Sequence, residues 1–183
     1  MKLAFGFAGW SGSGKTTLIE KVIPRLVDMG LRVSLIKQAR VDFDVDQPGK
    51  DSHRHRLAGA REVLVHSSRR WVLMHELRGT AEPTLSEQNE RLSVCDAVIV
   101  EGVRDAPIPT IEVWRPETGK TLRHSDHPSV VAIATDAPIQ AEVPILDMND
   151  AEVVARFICS TLGLLCAREP RSGTLYPCLS AAC

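Results

Sequence analysis

An apolar segment leads directly into a glycine-rich loop, and this junction constrains the fold more than any other part of the sequence. Residues 3–8 form a short apolar run, and Gly9 to Thr16 then fit the pattern G-x-x-x-x-G-K-[ST]. A helical pattern follows at once, with apolar residues at Leu18, Ile19, Val22, Ile23, Leu26 and Val27. A strand, this loop and a helix in that order are the context in which such a loop wraps around phosphate groups. The alternative is an ordinary turn rich in glycine and serine.

The residue types of the loop suit the binding of a nucleoside triphosphate together with a metal ion. Glycines let successive backbone N–H groups point inward at phosphate oxygens, and the N-terminus of the following helix adds partial positive charge. Lys15 is expected to reach the β- and γ-phosphates, and the Thr16 hydroxyl to bind Mg²⁺. The predicted nucleotide-binding residues of the loop are Gly9, Ser11, Gly12, Ser13, Gly14, Lys15, Thr16 and Thr17.

The spacing after the loop predicts a parallel sheet. Residues 31–36 form a second strand pattern, so the chain begins with a strand–helix–strand unit. Such units build a doubly wound, mostly parallel sheet with helices on both faces, the α/β fold of P-loop NTPases. Further strands are predicted at 62–66, 71–75, 97–100, 110–114 and 130–134, and helices at 51–60, from Thr84 to about Ser93 and from Asn149 to Gly163. We expect one nucleotide-binding domain over residues 1–165 and a loose tail over 166–183.

Two strand ends offer charged side chains to the same phosphates. Glu101 closes the apolar run 97–100, whereas Asp96 begins it. Since the carboxyl ends of parallel strands meet at the edge where the glycine loop lies, Glu101 is the better candidate for the metal. Lys37 closes the second strand and is a candidate phosphate contact. The alternatives are an acidic residue that merely begins a loop and a lysine on the surface.

A polar segment after the second strand is rich in aspartate and is followed by basic residues. The aspartates are Asp42, Asp44, Asp46 and Asp51, and the basic residues are Lys50, His53, Arg54, His55 and Arg56. Mg²⁺ uses few protein carboxylates, so one or two of these aspartates would suffice. The basic residues form either a solvated helix or an anion-binding wall beside the nucleotide.

Composition excludes several classes of function. Lys plus Arg number 22 and Asp plus Glu number 23, so the net charge of −1 argues against binding nucleic acid or an anionic membrane through bulk charge. No apolar run approaches the roughly 18 residues of a transmembrane helix. Five cysteines, an odd number, without a recognisable secretion signal predict reduced thiols and a cytoplasmic protein.

Several segments together resemble the molybdopterin-guanine dinucleotide biosynthesis protein B (MobB) family. They are the glycine loop with residues 17–24, the run 42–52, Arg54-His55-Arg56 with Ala58-Gly59-Ala60, the run 70–78, and the strand end Glu101-Gly102. The resemblance extends over about residues 3–163. The glycine loop is shared with many families, and the acidic run 42–52 is the specific part.

The resemblance implies a dimeric protein that binds GTP and Mg²⁺ and hydrolyses GTP slowly. Such a protein would assist the guanylyltransferase that attaches GMP to molybdopterin, and whether it also binds molybdopterin stays open. By analogy with the related dethiobiotin synthetase-like class, Thr16, Asp51 and Glu101 would be the Mg²⁺-side residues.

This sequence departs from the family at two places. Gln38-Ala39-Arg40-Val41 stand after Lys37 where the family usually has histidines, and the guanine-reading motif Asn-Lys-x-Asp is absent. Asp136 follows a late strand, where that motif would lie, and its carboxylate could accept hydrogen bonds from N1–H and N2–H₂ of guanine. The alternative is that Asp136 only caps the turn before Pro138.

Two other functions stay open on sequence alone. One is a nucleotide-dependent adaptor without meaningful hydrolysis, since the sequence places no Arg, Gln or Asp to activate water. The other is an ATP-dependent small-molecule kinase or synthetase of the same fold.

Overall fold

The strand before the glycine loop lies at the centre of a parallel sheet. The computed structural model describes residues 2–39, 43–102, 106–123 and 127–165. Within these ranges the elements in chain order are β1 (Ala4–Ala8), α1 (Lys15–Asp28), β2 (Val33–Lys37), α2 (Asp51–Leu57), β3 (Glu62–His66), β4 (Trp71–His75), α3 (Leu85–Arg91), β5 (Ala97–Glu101), β6 (Thr110–Val113), a 3₁₀ turn (Pro116–Thr118), β7 (Val130–Thr135), β8 (Ile145–Asp147) and α4 (Ala151–Leu162).

The main sheet has the strand order β2-β5-β1-β6-β7-β8, and every neighbouring pair in it is parallel. Because the strands run the same way, the loops after β1, β2, β5, β6, β7 and β8 all emerge at one edge. Functional side chains far apart in sequence therefore meet at that edge. The predicted doubly wound, mostly parallel α/β fold is confirmed.

Helices cover both faces of the sheet because its strands are apolar on both sides. Phe5, Phe7 and Ile99 point to one face, where they are fully buried under α1 and α4. Val98 and Val100 point to the other face, where Leu85 of α3 packs against them. This two-sided burial holds the central strands rigid, so the loops at their ends have a fixed base.

A separate two-stranded antiparallel sheet is formed by β3 and β4, with α2 packed beside β3. The predicted strand pair 62–66 and 71–75 is thus a hairpin with those bounds. Its cross-strand pair Leu64 and Leu73 is about half exposed, at 58% and 48%, and Trp71 is 65% exposed. Two strands alone are marginally stable in water, so an exposed apolar hairpin of this kind favours a partner.

Two details of the sheet and helices differ from the sequence expectation. The edge strand β8 was not predicted, because it has only three residues and follows Pro144. The last helix begins after Asp150, whose carboxylate accepts hydrogen bonds from the backbone N–H groups of Glu152 and Val153, so Asn149 is not its cap. Either residue type can cap a helix, and the sequence does not distinguish them.

No helix among the described residues is long and apolar enough to cross a membrane. The expectation of a loose tail over 166–183 concerns residues outside the described ranges, and it stays a prediction, as does the single-domain boundary.

Candidate nucleotide-binding site

The backbone of the glycine loop requires glycine at specific positions. Gly9 has φ of 138°, and a Cβ there would lie 2.3 Å from the backbone oxygen of Val113. Gly14 caps α1 in the left-handed region, with φ of 92°. Other residue types would be strained at both positions, and at Gly9 they would also clash with β6. The loop therefore holds a turn that brings its N–H groups to the start of α1.

Lys15 lies across this loop. Its Nζ donates hydrogen bonds to the backbone oxygens of Gly9, at 2.9 Å, and Trp10, at 2.7 Å. The ammonium is thereby held over the concave side of the loop on two carbonyls. A phosphate oxygen is a stronger, charged acceptor for the same ammonium.

Thr16, Glu101 and Lys37 meet beside the start of α1. The Thr16 hydroxyl donates to Oε1 of Glu101 at 2.5 Å, and Nζ of Lys37 lies 3.3 Å from Oε2. Glu101 is 7% exposed, so its charge is held in a partly dehydrated position between a hydroxyl and an ammonium. Three side chains that the sequence placed at one edge are in contact there.

Asp96 lies at the opposite end of β5 and has a different partner. Its carboxylate receives hydrogen bonds from Nε and Nη2 of Arg32, at 3.0 and 2.8 Å. These bonds, with one from the backbone N–H of Arg32, lower the pKa of Asp96 to about 2. The Asp96 carboxylate thus forms a structural ion pair away from the glycine loop.

Asp51 makes no hydrogen bond or ion pair with Thr16, Glu101 or Lys37. It is the first residue of α2, it is exposed, and its side chain has no hydrogen bond or ion pair among the described residues. The Mg²⁺ role of Asp51 therefore stays a prediction.

Other acidic residues of the run 42–52 bind an arginine rather than lying open to a metal. Nη2 of Arg56 lies 2.7 Å from Oδ2 of Asp44, and its Nε lies 3.3 Å from Oδ2 of Asp46. Glu76 accepts a third bond from Arg56, at 2.7 Å. Hydrogen bonds from Arg56 to Asp44, and from Ser52 to Asp46, lower the pKa of each carboxyl. Arg56 thus links the acidic run to Glu76, which follows β4 of the hairpin. Because its guanidinium is paired with three carboxylates, it is not part of an anion-binding wall. Asp42 lies outside the described residues.

Asp136 follows β7 directly and pairs with Arg115, which lies beside the glycine loop. Its Oδ2 is 3.0 Å from Nε of Arg115, which follows β6. The guanidinium carbon of Arg115 is 3.8 Å from the position of a Cβ on Gly14, and Cε of Met148 is 3.0 Å from it. Sequence reasoning missed Arg115 and Met148, because nothing in their local sequence marks them as loop contacts.

The arrangement fits Mg²⁺ bound together with phosphates. Within the described ranges, no cluster of three or more His, Cys, Asp or Glu side chains is placed to hold a metal. Mg²⁺ is usually held by one or two protein oxygens, the phosphates and water. The hydroxyl of Thr16 and the carboxylate of Glu101 are hard oxygen ligands of this kind, and they are already in contact.

Comparison with known proteins identifies the family to which this chain is similar. The family model for molybdopterin guanine dinucleotide synthesis protein B matches residues 4–136. A molybdopterin-guanine dinucleotide biosynthesis adapter protein of Escherichia coli is 42% identical over 157 residues, which cover 83% of this chain and 89% of that protein. The protein of the same description from Haemophilus influenzae is 41% identical, with coverages of 84% and 85%.

Solved structures of related proteins share the fold. The crystal structure of a molybdopterin-guanine biosynthesis protein B has a TM-score of 0.68 and 28% identity, and the match covers 87% of this chain and 99% of that chain. A Bacillus subtilis MobB structure has a TM-score of 0.66 and 24% identity, with coverages of 86% and 96%, and supports the fold alone. The family model, which matches more than half of the chain, and the two relatives more than 40% identical establish that this chain belongs to the molybdopterin guanine dinucleotide synthesis protein B (MobB) family.

Proposed function

We propose that this protein binds GTP and Mg²⁺ at its glycine loop and acts as an adapter in the attachment of GMP to molybdopterin. The observation that carries the nucleotide part is the contact between Thr16 and Glu101 beside the lysine-bearing loop. The printed names of the curated relatives support the adapter part. Its partner would be the guanylyltransferase. This protein would help to present molybdopterin, the substrate of that enzyme, or would itself bind molybdopterin.

The buried hydroxyl of Ser13 supports a ligand at the loop. It is fully buried, and its Oγ has no hydrogen-bond partner among the described residues. A buried unpaired hydroxyl costs about 1–3 kcal/mol unless a ligand or water satisfies it. Phosphate oxygens are acceptors suited to a loop of this kind, and Lys15 and Lys37 supply positive charge beside it.

Replacing Glu101 with glutamine should weaken the dependence of GTP binding on Mg²⁺ by about tenfold, since it removes the charge that a hard cation requires. The amide oxygen of glutamine can still accept from Thr16, so the fold should be retained. Titration calorimetry in Mg²⁺ and in EDTA measures the ratio of the two affinities. We expect Asp51→Asn to act in the same direction.

The control for this test is Glu20→Gln, which removes a carboxylate from the exposed surface of α1. It should leave both affinities unchanged. An equal Mg²⁺ dependence in wild type and Glu101→Gln would remove Glu101 from the metal site.

Replacing Asp136 with asparagine should reduce the preference for GTP over ATP, which we expect to be at least about tenfold in the wild type. Asp136 can accept from N1–H and N2–H₂ of guanine, whereas adenine offers neither donor at those positions. An asparagine amide can instead donate to the C2 carbonyl of xanthine, so XTP should gain relative to GTP. Competition against a fluorescent GTP analogue measures all three affinities.

Asp28→Asn is the matched control, because it removes an exposed carboxylate at the far end of α1. GTP preference that is unaltered in Asp136→Asn would assign base recognition to another loop. A wild type without GTP preference would favour an ATP-dependent kinase or synthetase instead.

A measurement of GTP hydrolysis distinguishes a slow GTPase from an adapter that binds GTP without hydrolysing it. We propose weak GTPase activity, which single-turnover GTP hydrolysis detects with and without the purified guanylyltransferase. A nucleotide that only organises the adapter surface would raise the yield of the dinucleotide cofactor without matching hydrolysis. That outcome would retain the adapter function and reject the GTPase activity.

We propose that the protein forms a homodimer through the hairpin β3–β4. The exposed residues on one side of the hairpin are Leu64, Leu73 and Trp71, because cross-strand partners in an antiparallel pair share a face. A second copy of the chain offers the same apolar surface, and a two-fold axis lets each copy cover the other.

A further inference from the structure

The ends of three neighbouring strands are joined beside the glycine loop. The backbone N–H of Trp114, after β6, donates to the oxygen of Ala134 in β7 at 3.0 Å. The backbone N–H of Met148, after β8, donates to the oxygen of Thr135 at 3.2 Å. These bonds fix the relative positions of the residues that follow each strand. Arg115 is therefore in contact with both Asp136 and Met148.

Arg115 links this group to the loop. Its Nε lies 3.0 Å from Oδ2 of Asp136 and 3.0 Å from the sulfur of Met148. Its guanidinium carbon packs 3.8 Å from the position of a Cβ on Gly14, the residue that caps α1. Met148 is only 5% exposed, so the guanidinium packs against a side chain that is itself buried. Arg115 is thus held in place from three sides.

The pairing leaves part of Asp136 free for a ligand. Oδ1 of Asp136 has no hydrogen bond to another residue of the described ranges, and the side chains of Arg115 and Asp136 are 35% and 29% exposed. A carboxylate can accept several hydrogen bonds, so the ion pair with Arg115 leaves Asp136 able to accept from a ligand. Because Oδ2 lies against the positive charge of Arg115, the ion pair restrains the carboxylate before any ligand arrives.

We propose that Arg115 is a positioning residue for base recognition, which holds the Asp136 carboxylate ready to accept the N–H groups of guanine. This inference rests on the proposed binding of GTP through Asp136. Orientation of an acceptor before binding lowers the entropy lost when the ligand is bound. Arg115 acts on the base only through Asp136, so its removal should reduce discrimination between bases more than affinity for the triphosphate.

The competing role for Arg115 is direct contact with the phosphates. A guanidinium binds phosphate well, and this one lies next to the loop. The two roles differ in what they predict for ATP. Phosphates are common to GTP and ATP, so loss of a phosphate contact lowers both affinities by the same factor and leaves their ratio unchanged.

The test measures GTP and ATP affinities by competition against a fluorescent GTP analogue in Arg115→Gln, Asp136→Asn and the double variant. We expect Arg115→Gln to lower the GTP-over-ATP ratio by at least about threefold, in the range of couplings between contacting side chains. The double variant should show no lower ratio than Asp136→Asn alone. Arg115→Lys keeps the charge and should recover part of the ratio.

Arg156→Gln is the matched control, since Arg156 forms an ion pair of similar exposure with Glu152 on α4, at 3.1 Å. It should leave the ratio unchanged. Thermal unfolding of each variant without nucleotide checks the fold, and Arg115→Lys carries the test if Arg115→Gln does not fold.

Each other outcome overturns the inference in a distinguishable way. An equal loss of GTP and ATP affinity in Arg115→Gln would assign Arg115 to the phosphates. A ratio that falls in Asp136→Asn but not in Arg115→Gln would reject the positioning role and retain the proposed GTP site. A wild-type ratio near one would reject both.

Discussion

Replacing Lys15 with alanine should weaken GTP binding by about 10- to 150-fold. A charge-assisted hydrogen bond of this kind contributes about 1.5–3 kcal/mol, and Lys15 is the loop's own ammonium group. Nζ of Lys15 donates to the backbone oxygens of Gly9 and Trp10, and we expect it to transfer from them to phosphate oxygens with little movement. Titration calorimetry with GTP and Mg²⁺ gives the affinity.

Lys21→Ala serves as the control, because Lys21 is an exposed lysine further along the same helix. Lys21→Ala should leave the GTP affinity unchanged. That result would show that the loss of a positive charge elsewhere on α1 does not by itself weaken GTP binding. An affinity in Lys15→Ala equal to that of the wild type would remove the glycine loop from the nucleotide site, whatever the family of the chain.

Local patterns predicted the part of the fold that depends on near neighbours in sequence. The strand before the glycine loop, the helix after it and the hairpin 62–66 with 71–75 all follow from the spacing of apolar residues. Thr84 and Glu87 form reciprocal capping bonds at the start of α3, where the sequence predicts a helix to begin. These features are set by residues a few positions apart, so one sequence contains their cause.

The site was predictable only where strand ends determine it. Glu101 and Lys37 were placed correctly at one edge because parallel strands end together. The ion pair of Arg115 with Asp136 joins positions 21 residues apart across β6 and β7, and it depends on the order of strands in the sheet. No local pattern encodes that order.

The partners of the acidic residues after β2 could not be predicted from the sequence either. Asp44 and Asp46 look like metal ligands in sequence, yet both bind Arg56. A carboxylate near a predicted phosphate loop can serve a metal or an arginine, and the choice depends on which cation the fold brings nearest. Here α2 places Arg56 against Asp44 and Asp46, and the spacing of these residues in the sequence does not predict that contact.

Replacing Leu64 with glutamate should convert the proposed homodimer to monomers, with the dimer dissociation constant raised by at least about 100-fold. Leu64 pairs with Leu73 at the centre of the hairpin, and both are about half exposed in the single chain. Because a two-fold interface repeats every residue, one substitution buries two carboxylates without partners. A central interface side chain commonly contributes 2 kcal/mol or more, about 30-fold, and unpaired buried charge adds to that loss. Sedimentation velocity over a range of concentrations measures the constant.

Val94→Glu separates this effect from a general response to added charge. Val94 is 76% exposed and lies outside the hairpin, between α3 and β5, so a glutamate there replaces an exposed apolar side chain just as at position 64. We expect Val94→Glu to dimerise like the wild type and Leu64→Glu to sediment as a monomer that still binds GTP, since the glycine loop belongs to the other sheet. A Leu64→Glu protein that dimerises as strongly as Val94→Glu would place the interface elsewhere. Loss of GTP binding in the monomer would instead mean that the second copy completes the nucleotide site.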